Sequence, residues 1–314
     1  MDADTSHMKT ERPPRMVAGF WRRLVADLLD AVVLSIFGYA IAYPLRYAFS
    51  AMGIHALWIG LACSFLYFGI LHTQVGGGQT PGKRVLGIQV LRRDGAFLSL
   101  GESLIRYMAV SFIFYNGLYG SLLALLPGKV SMAIGPLFLL VVVWAFFACF
   151  ILIPLHPLKR GLHDLMAGSV VVHKAAYDAA ALDQMENPSR TRRALLTLSG
   201  VTLAIVGLLV IGIFALLKPR EIDELSTLYG RLGHDYDVRG VRSFSFNGQQ
   251  PVLIVEVFLP MARYDDKADR ERVRGQVSRK VQDNFPNLGR YQKLRVITLS
   301  GFNIGIASLN LSDG

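Results

Sequence analysis

Two aspartates stand inside the first apolar stretch of the chain. Asp27 and Asp30 are the charged residues of positions 24–43, and Arg23 directly precedes this stretch. A carboxylate in a membrane span persists only when it is paired, protonated or turned toward a polar interior, because its transfer into lipid costs several kcal/mol. At about 100° per residue, Arg23, Asp27 and Asp30 fall within roughly 60° of one another on a helix. The spacing therefore predicts a polar stripe that faces protein rather than lipid.

Such a stripe allows two kinds of chemistry. Two carboxylates one turn apart in a low-dielectric span resist being ionised together, so the pair could exchange a proton for a monovalent cation. Alternatively, Arg23 could form a buried ion pair with Asp164, since both are expected at the cytoplasmic ends of their segments. The first interpretation describes a transport site. The second describes a structural clasp between the first span and the segment after the fourth.

The composition indicates a membrane protein. Of 314 residues, 52% are hydrophobic and 18% are charged, and the mean hydropathy is +0.39. These values lie outside the range that is typical of soluble domains. Four further stretches lack Asp, Glu, Lys and Arg over about the length that a ~30 Å hydrocarbon core requires. They are residues 51–71, 107–126, 130–155 and 194–217. With the first stretch they predict about five transmembrane helices.

The distribution of basic residues indicates the orientation. Sixteen Lys and Arg precede span one or lie between spans two and three or spans four and five, whereas the opposite loops carry only Arg46 and Lys129. Cytoplasmic loops carry the excess of Lys and Arg. This predicts a cytoplasmic N-terminus and an extracytoplasmic C-terminal part. Because topology explains the net charge of +10, no nucleic-acid partner is needed.

The predicted fold is an α-helical multi-pass membrane protein with a C-terminal soluble α+β domain. By composition the chain divides into a cytoplasmic N-terminal segment (1–19), a four-helix membrane domain (20–175), a cytoplasmic linker (176–193), a fifth transmembrane helix (194–217) and an extracytoplasmic α+β domain (218–314).

The C-terminal segment has no long apolar run and shows alternating helix and strand patterns. The pattern predicts a helix at 219–232, a hairpin of 241–246 and 252–259, a charged helix at 265–284, and a second hairpin of 294–299 and 302–309. Asn247-Gly248 supplies the positive φ values of a tight turn in the first hairpin.

The segment 77–84, GGQTPGKR, matches the phosphate-binding loop pattern as far as its lysine. Arg84 replaces the hydroxyl that would meet Mg²⁺, and the segment follows a membrane helix where a buried strand is required. We therefore interpret it as a glycine-rich turn at the cytoplasmic interface, with Lys83 and Arg84 near lipid phosphates.

Three histidines flank the end of the fourth span. His156, His163 and His173 are spaced by seven and ten residues, which matches no compact zinc pattern, although His163 is adjacent to Asp164. No nucleophile–base pair is evident in the sequence. We expect neither an enzyme nor a bound metal or cofactor.

Short motifs in the first half of the chain resemble the RDD family of bacterial membrane proteins, which is named for one arginine and two aspartates. These motifs are Gly19-Phe20-Trp21-Arg22-Arg23-Leu24 with an aspartate seven residues after Arg23, Thr80-Pro81-Gly82-Lys83 followed by Gly87-Ile88-Gln89-Val90, Arg106 at the start of span three, and Arg160-Gly161-Leu162-His163-Asp164-Leu165-Met166-Ala167-Gly168. The resemblance covers residues of about 15–175. It implies that Arg23, Asp30 and Asp164 are the family's three residues, with Asp27 as an addition.

What the resemblance implies about function is limited, since most of the family has no assigned activity and some members are described as sodium/proton antiporters. As an antiporter the protein would use Asp30 to exchange sodium and protons, with Asp27 as its electrostatic neighbour and Arg23 as a competing internal cation. Asp164 would lie at the cytoplasmic entrance. An antiporter with only about five transmembrane helices would need to form a homo-oligomer.

The appended domain favours a different interpretation. The chain would be a non-transporting module of the bacterial inner membrane, an envelope or assembly factor that presents its C-terminal domain outside the cytoplasm. Its partners would then be the lipid bilayer and other membrane proteins.

Overall fold

The computed structural model describes residues 16–123, 128–185, 188–216, 219–245 and 250–313. Its helices are α1 (Phe20–Ala42), α2 (Arg46–Met52), α3 (Leu57–Leu71), α4 (Pro81–Val85), α5 (Leu100–Phe114), α6 (Asn116–Leu123), α7 (Gly128–Phe146), α8 (Leu152–Leu155), α9 (Leu162–Met166), α10 (Ala179–Met185), α11 (Pro188–Leu216), α12 (Pro219–Gly233), α13 (Met261–Tyr264) and α14 (Lys267–Asn284). Its strands are β1 (Ile88–Arg92), β2 (Ser169–His173), β3 (Val238–Phe244), β4 (Val252–Phe258), β5 (Lys293–Asn303) and β6 (Ser308–Asp313).

Four helical segments of the described residues are long and apolar enough to cross a membrane. They are Phe20–Ala42, Arg46–Leu71, Leu137–Leu155 and Pro188–Leu208. The predicted third span, residues 107–126, is interrupted at Tyr115, where α5 has ended and α6 has not begun. The predicted helical multi-pass fold with a C-terminal α+β domain is confirmed, with four segments of spanning length where about five were expected.

The first compact unit comprises the described residues within 1–30, 65–110 and 145–198. Among its described residues, β1 and β2 form an antiparallel pair in which Val90 is opposite Val171. Val17, just before α1, adds a bridge to Val172 of β2. The first membrane helix therefore begins directly from the edge of a small sheet.

The second compact unit comprises residues 31–64, 111–144 and 199–314. Its sheet has the order β3-β4-β5-β6. The outer pairs are antiparallel, whereas β4 and β5 are parallel and α14 connects them. Leu253, Val255 and Val257 of β4 alternate inward and pack in one cluster with Val273 and Val277 of α14. Every second residue of the strand and every fourth residue of the helix thus face the same core.

The predicted elements of the C-terminal domain occur, with one difference. The second hairpin was expected to turn near residues 300–301, but β5 runs through to Asn303. Gly301 stays in the strand at a φ of +138°, and a Cβ on it would lie 1.8 Å from the carbonyl oxygen of Leu309. The glycine therefore permits a close approach of β6 and does not mark the turn. The predicted Asn247-Gly248 turn lies outside the described residues.

Candidate functional site

The polar stripe of α1 is turned toward protein. Arg23 and Asp30 are buried, with 4% and 0% exposure. Asp27 differs, because 47% of its side chain is exposed. The three residues lie in the first unit, where they form ion pairs and hydrogen bonds with two groups of partners.

The first group surrounds Asp164, and we call it the Asp164 cluster. Arg23 Nη1 donates to Oδ2 at 2.7 Å, while Arg106 donates to Oδ1 through Nη2 at 2.9 Å and through Nε at 3.1 Å. The Ser169 hydroxyl donates to Oδ1 at 3.1 Å, and the Gly161 N–H donates to Oδ2 at 3.2 Å. One buried carboxylate thus accepts from two guanidinium groups and two neutral donors, which is a strongly bound arrangement.

Local structure positions both members of the Arg23–Asp164 ion pair. Asp164 is the third residue of α9, so its carboxylate reaches back to the N–H of Gly161 that precedes the helix. The Arg23 guanidinium has further donors, and Nε binds the carbonyl of Ala18 at 3.1 Å while Nη2 lies 3.5 Å from that of Val171. Arg23 therefore joins the start of α1 to α9 and to β2.

The neighbouring titratable groups are perturbed in the same direction. Burial alone would raise the pKa of Asp164, but electrostatic interactions with His163, Arg106 and Arg23 outweigh burial and hold this pKa well below its usual value. Burial lowers the pKa of His163 to about 4, although Asp164 opposes this effect. Burial and the charges of Arg106 and Lys83 likewise hold the pKa of His72 well below its usual value. At neutral pH the carboxylate is ionised and both histidines are neutral.

We expect thermal stability to fall as the pH is lowered from about 6.5 to about 4. In this window an unfolded histidine, with a pKa near 6.5, binds a proton that the folded His163 does not, so acid favours the unfolded state. The contribution of Asp164 is present above its unfolded pKa of about 3.9 and is lost only below it. His163→Gln should show a shallower loss of melting temperature across this window, with exposed His55→Gln as the control. Equal slopes for both variants would contradict this assignment.

The second group surrounds Asp30, and we call it the Asp30 cluster. Oδ1 accepts from the Tyr67 hydroxyl at 2.9 Å and from the backbone N–H of Gly82 at 2.8 Å. Oδ2 accepts from the Thr80 hydroxyl at 2.5 Å. The ammonium of Lys83 lies 3.7 Å from Oδ2. Each of these donors interacts best with an ionised carboxylate.

Lys83 connects the two aspartates of α1. Its Nζ is 2.8 Å from Asp27 Oδ1, and its side chain is only 3% exposed. The expectation that Lys83 lies near lipid phosphates is therefore wrong. Two acidic groups within reach hold the ammonium inside the protein. Arg84 remains exposed, and it donates to the carbonyl of Gly76 at 3.0 Å.

The Thr80-Pro81-Gly82-Lys83 motif forms the start of the short helix α4. It provides the hydroxyl, the backbone N–H and the ammonium that contact Asp30. The Thr80 side chain caps α4 and Pro81 occupies a first-turn position, which is the preferred arrangement at a helix N-terminus. A Cβ on Gly82 would lie 2.1 Å from the carbonyl oxygen of Ala26 in α1. Only glycine lets the α4 backbone approach α1 closely enough for its N–H to reach Asp30.

The sequence-predicted residues are thus distributed over two clusters. Arg23 and Asp164 are in direct contact, as the clasp interpretation requires, whereas Asp30 takes its partners from Tyr67 and from residues 80–83. The formal charges of the two clusters cancel. Three acidic residues, Asp27, Asp30 and Asp164, pair with three cations, Arg23, Lys83 and Arg106.

Sequence reasoning missed the roles of three residues. Arg106 was singled out only as the residue at the start of span three, yet it is the second guanidinium on Asp164. Tyr67 and Ser169 were not singled out. A hydroxyl-bearing Tyr67 in the second predicted span was the available signal, since a buried phenol usually finds a polar partner.

The three histidines have separate partners. His156 contacts the Thr191 hydroxyl, His163 lies 3.5 Å from Asp164, and His173 contacts Arg22.

Buried Arg–Asp pairs that join helix α1 to loops and a small sheet define a helical membrane protein with a charged internal clasp. The profile of the RDD family matches residues 17–168. Over these residues, which are just under half of its length, the chain is similar to the RDD family.

Two curated proteins of Bacillus subtilis (strain 168) are similar to the chain. The uncharacterized protein YxaI is 25% identical, over 50% of this chain and 97% of its own length. The uncharacterized protein YckC is 27% identical, over 50% of this chain and 84% of its own length. No solved structure matches the chain.

Proposed function

We propose that the protein is a non-transporting module of the bacterial inner membrane, which holds its C-terminal domain at the extracytoplasmic surface as an envelope or assembly factor. The observation that carries this proposal is the packing of the β5–β6 hairpin in the second unit. Here a turn of the C-terminal domain is buried among helix residues of the membrane part.

The hairpin tip, which we define as residues 302–307, has buried apolar residues although it contains a turn, while Asn303 and Gly305 are exposed. Phe302, Ile304, Ile306 and Ala307 have 4%, 1%, 9% and 5% exposure. Turns of soluble domains normally lie on the surface and are polar. An apolar buried tip indicates that the turn is an attachment point.

Two glycines of membrane-spanning segments receive the tip. A Cβ on Gly60 of α3 would lie 1.4 Å from the carbonyl oxygen of Ile304, and one on Gly38 of α1 would lie 2.9 Å from Ile306. Small residues let backbones approach closely in membrane interfaces. We call Gly38 and Gly60 the hairpin seat.

Polar and aromatic contacts also hold the hairpin against the membrane helices near the hairpin seat. The Tyr39 hydroxyl donates to the carbonyl of Ser308 at 2.5 Å. Tyr115 packs on Gly305, where a Cβ would lie 2.3 Å from the Tyr115 ring, and the Tyr115 hydroxyl is 3.0 Å from Ser64 Oγ. Tyr115 is also the residue at which the predicted third span is interrupted, so the break in the helix coincides with the hairpin contact.

The saturated Asp30 cluster supports the same function. A carboxylate that exchanges ions must lose and regain its partners during each cycle, whereas Asp30 accepts three hydrogen bonds and has Lys83 nearby. A fixed set of donors suits a clasp better than an exchange site.

The attachment can be tested by a disulfide between the seat and the tip. The Cβ positions of Gly38 and Ala307 are 3.1 Å apart, close to the ~3.5–4.5 Å of disulfides. Gly38→Cys combined with Ala307→Cys should oxidise to one intramolecular bond in the membrane. Each single variant, which retains native Cys63 and Cys149, is the control. A double variant that stays reduced under oxidising conditions, although it melts like the wild type and so has not been disturbed by the new side chain at position 38, would contradict the attachment.

A sodium/proton antiporter is the second candidate, and one observation favours it. Asp27 is half-exposed and shares Lys83 with buried Asp30, so a cation could reach this pair from solvent and displace the ammonium. Purified protein in vesicles with a proton gradient separates the two candidates. We expect sodium, lithium or potassium to cause no dissipation beyond that of protein-free vesicles. Dissipation that Asp30→Asn abolishes would establish the antiporter instead.

A further inference from the structure

A groove of about 450 Å³ lies beside the start of α11 in the first unit. Its lining consists of the apolar residues Leu165, Pro188, Leu195 and Leu196 together with Arg192, His156 and Thr191. The lining therefore combines one cation with several apolar side chains. That combination suits a ligand with an anionic end and a hydrocarbon part.

The apolar surface beside the groove is exposed. The apolar window of the α11 span is only 11% buried, and Leu196 is 62% exposed. Arg192 precedes Leu196 by four residues, which corresponds to about 6 Å along a helix axis. A molecule that spans both residues would place its charge at headgroup level and its chain in the hydrocarbon layer.

The first turns of α11 carry three basic residues. Arg190, Arg192 and Arg193 are exposed in the first turns of α11. Basic residues at the end of a span attract anionic lipids, and basic pockets between helices bind their headgroups.

A hydrogen-bonded pair shapes the groove in advance. His156 Nδ1 accepts from the backbone N–H of Leu158 at 3.0 Å, so the ring proton must be on Nε2, which donates to Thr191 Oγ1 at 3.0 Å. His156 is buried, and this bond fixes the first turn of α11 against it. A preformed site binds without an added ordering cost.

We propose that this groove binds one anionic glycerophospholipid, whose phosphate pairs with Arg192 and whose acyl chain lies on Leu165, Leu195 and Leu196. The groove shares no lining residue with the two charge clusters or the hairpin seat, so it does not depend on the proposed function.

The test uses the full chain in a neutral detergent, with lipid adducts counted by native mass spectrometry and melting temperature measured in parallel. Phosphatidylglycerol should bind and raise the melting temperature, whereas phosphatidylcholine should not. Arg192→Ala should weaken phosphatidylglycerol binding about tenfold, as expected for the loss of a charge-assisted hydrogen bond. Arg193→Ala is the matched control, because it removes the same charge from the next residue, outside the groove lining.

A second variant tests the apolar part without changing charge. Leu195→Trp should fill the groove and reduce phosphatidylglycerol binding while Arg192 is intact. Equal losses in Arg192→Ala and Arg193→Ala would show general surface attraction and overturn the site. Equal binding of phosphatidylcholine would overturn the charge selection, and equal stabilisation by soluble glycerol phosphate would overturn the lipid assignment.

Discussion

Replacing Asp164 by asparagine is expected to destabilise the protein by about 3–5 kcal/mol, the typical cost of breaking a buried ion pair by removing one partner. The substitution keeps the size of the side chain but leaves Arg23 and Arg106 buried without a counter-charge. The amide nitrogen of the new asparagine is itself a donor, so it would face guanidinium N–H groups that donate to a carboxylate oxygen in the wild type. Thermal unfolding of the purified protein in detergent measures this loss.

Asp94→Asn is the matched control for this prediction. Asp94 is in the same unit and pairs with Arg92 at 3.5 Å, but its side chain is 59% exposed. Exposed pairs contribute about 0–1 kcal/mol, so this variant should melt close to the wild type. If Asp164→Asn melts no lower than Asp94→Asn, the Asp164 cluster is not a stabilising clasp.

Replacing Gly60 by alanine is expected to displace the hairpin tip from its seat. In an isolated helix this change would be favourable by about 1 kcal/mol, because alanine is the better helix former. Here the new Cβ would lie 1.4 Å from the carbonyl oxygen of Ile304, and backbone must move to relieve that clash. In the variant that carries Gly38→Cys and Ala307→Cys, Gly60→Ala should therefore prevent disulfide formation and lower the melting temperature.

Gly200→Ala is the control for Gly60→Ala. Gly200 is in the span of α11, and a Cβ on it meets nothing within 4 Å. This variant should form the engineered disulfide as the parent does. Full disulfide yield in the Gly60→Ala variant would show that the tip does not rest on α3, and the attachment would have to be placed elsewhere.

Together the two predictions separate the two halves of the proposed module. The Asp164 cluster concerns the first unit alone, and the hairpin seat concerns the second unit alone. A loss of stability from Asp164→Asn with an intact disulfide would show that the clasp and the attachment act independently.

Much of the fold follows from patterns that act over short distances. Apolar runs of spanning length predict the membrane helices because a hydrocarbon core sets their length. The alternation of Leu253, Val255 and Val257 predicts a strand with one buried face, and the charged segment before Asn284 predicts a helix. The small sheet of β1 and β2 was not predicted, because its two five-residue strands are separated by 76 residues and pair only in the folded chain.

The candidate site was predicted in part. Spacing on α1 indicated that Asp30 would face protein, since lipid would penalise the charge. The same spacing says nothing about its partners, and Arg23, Asp30 and Asp164 were expected to act as one set. The structure instead gives Asp30 the hydroxyls of Tyr67 and Thr80 and the backbone of Gly82.

By itself the sequence determined that this is a multi-pass membrane protein with an inward-facing Asp30 on its first helix and an appended α+β domain, because hydropathy and helical period are local properties of the chain. Only the tertiary structure decided which cation meets which carboxylate, since Asp164 meets Arg23 and Arg106 across 141 and 58 positions. It also decided that Gly82 and Gly60 are contact points, because close backbone approach depends on a neighbouring element that no local pattern records.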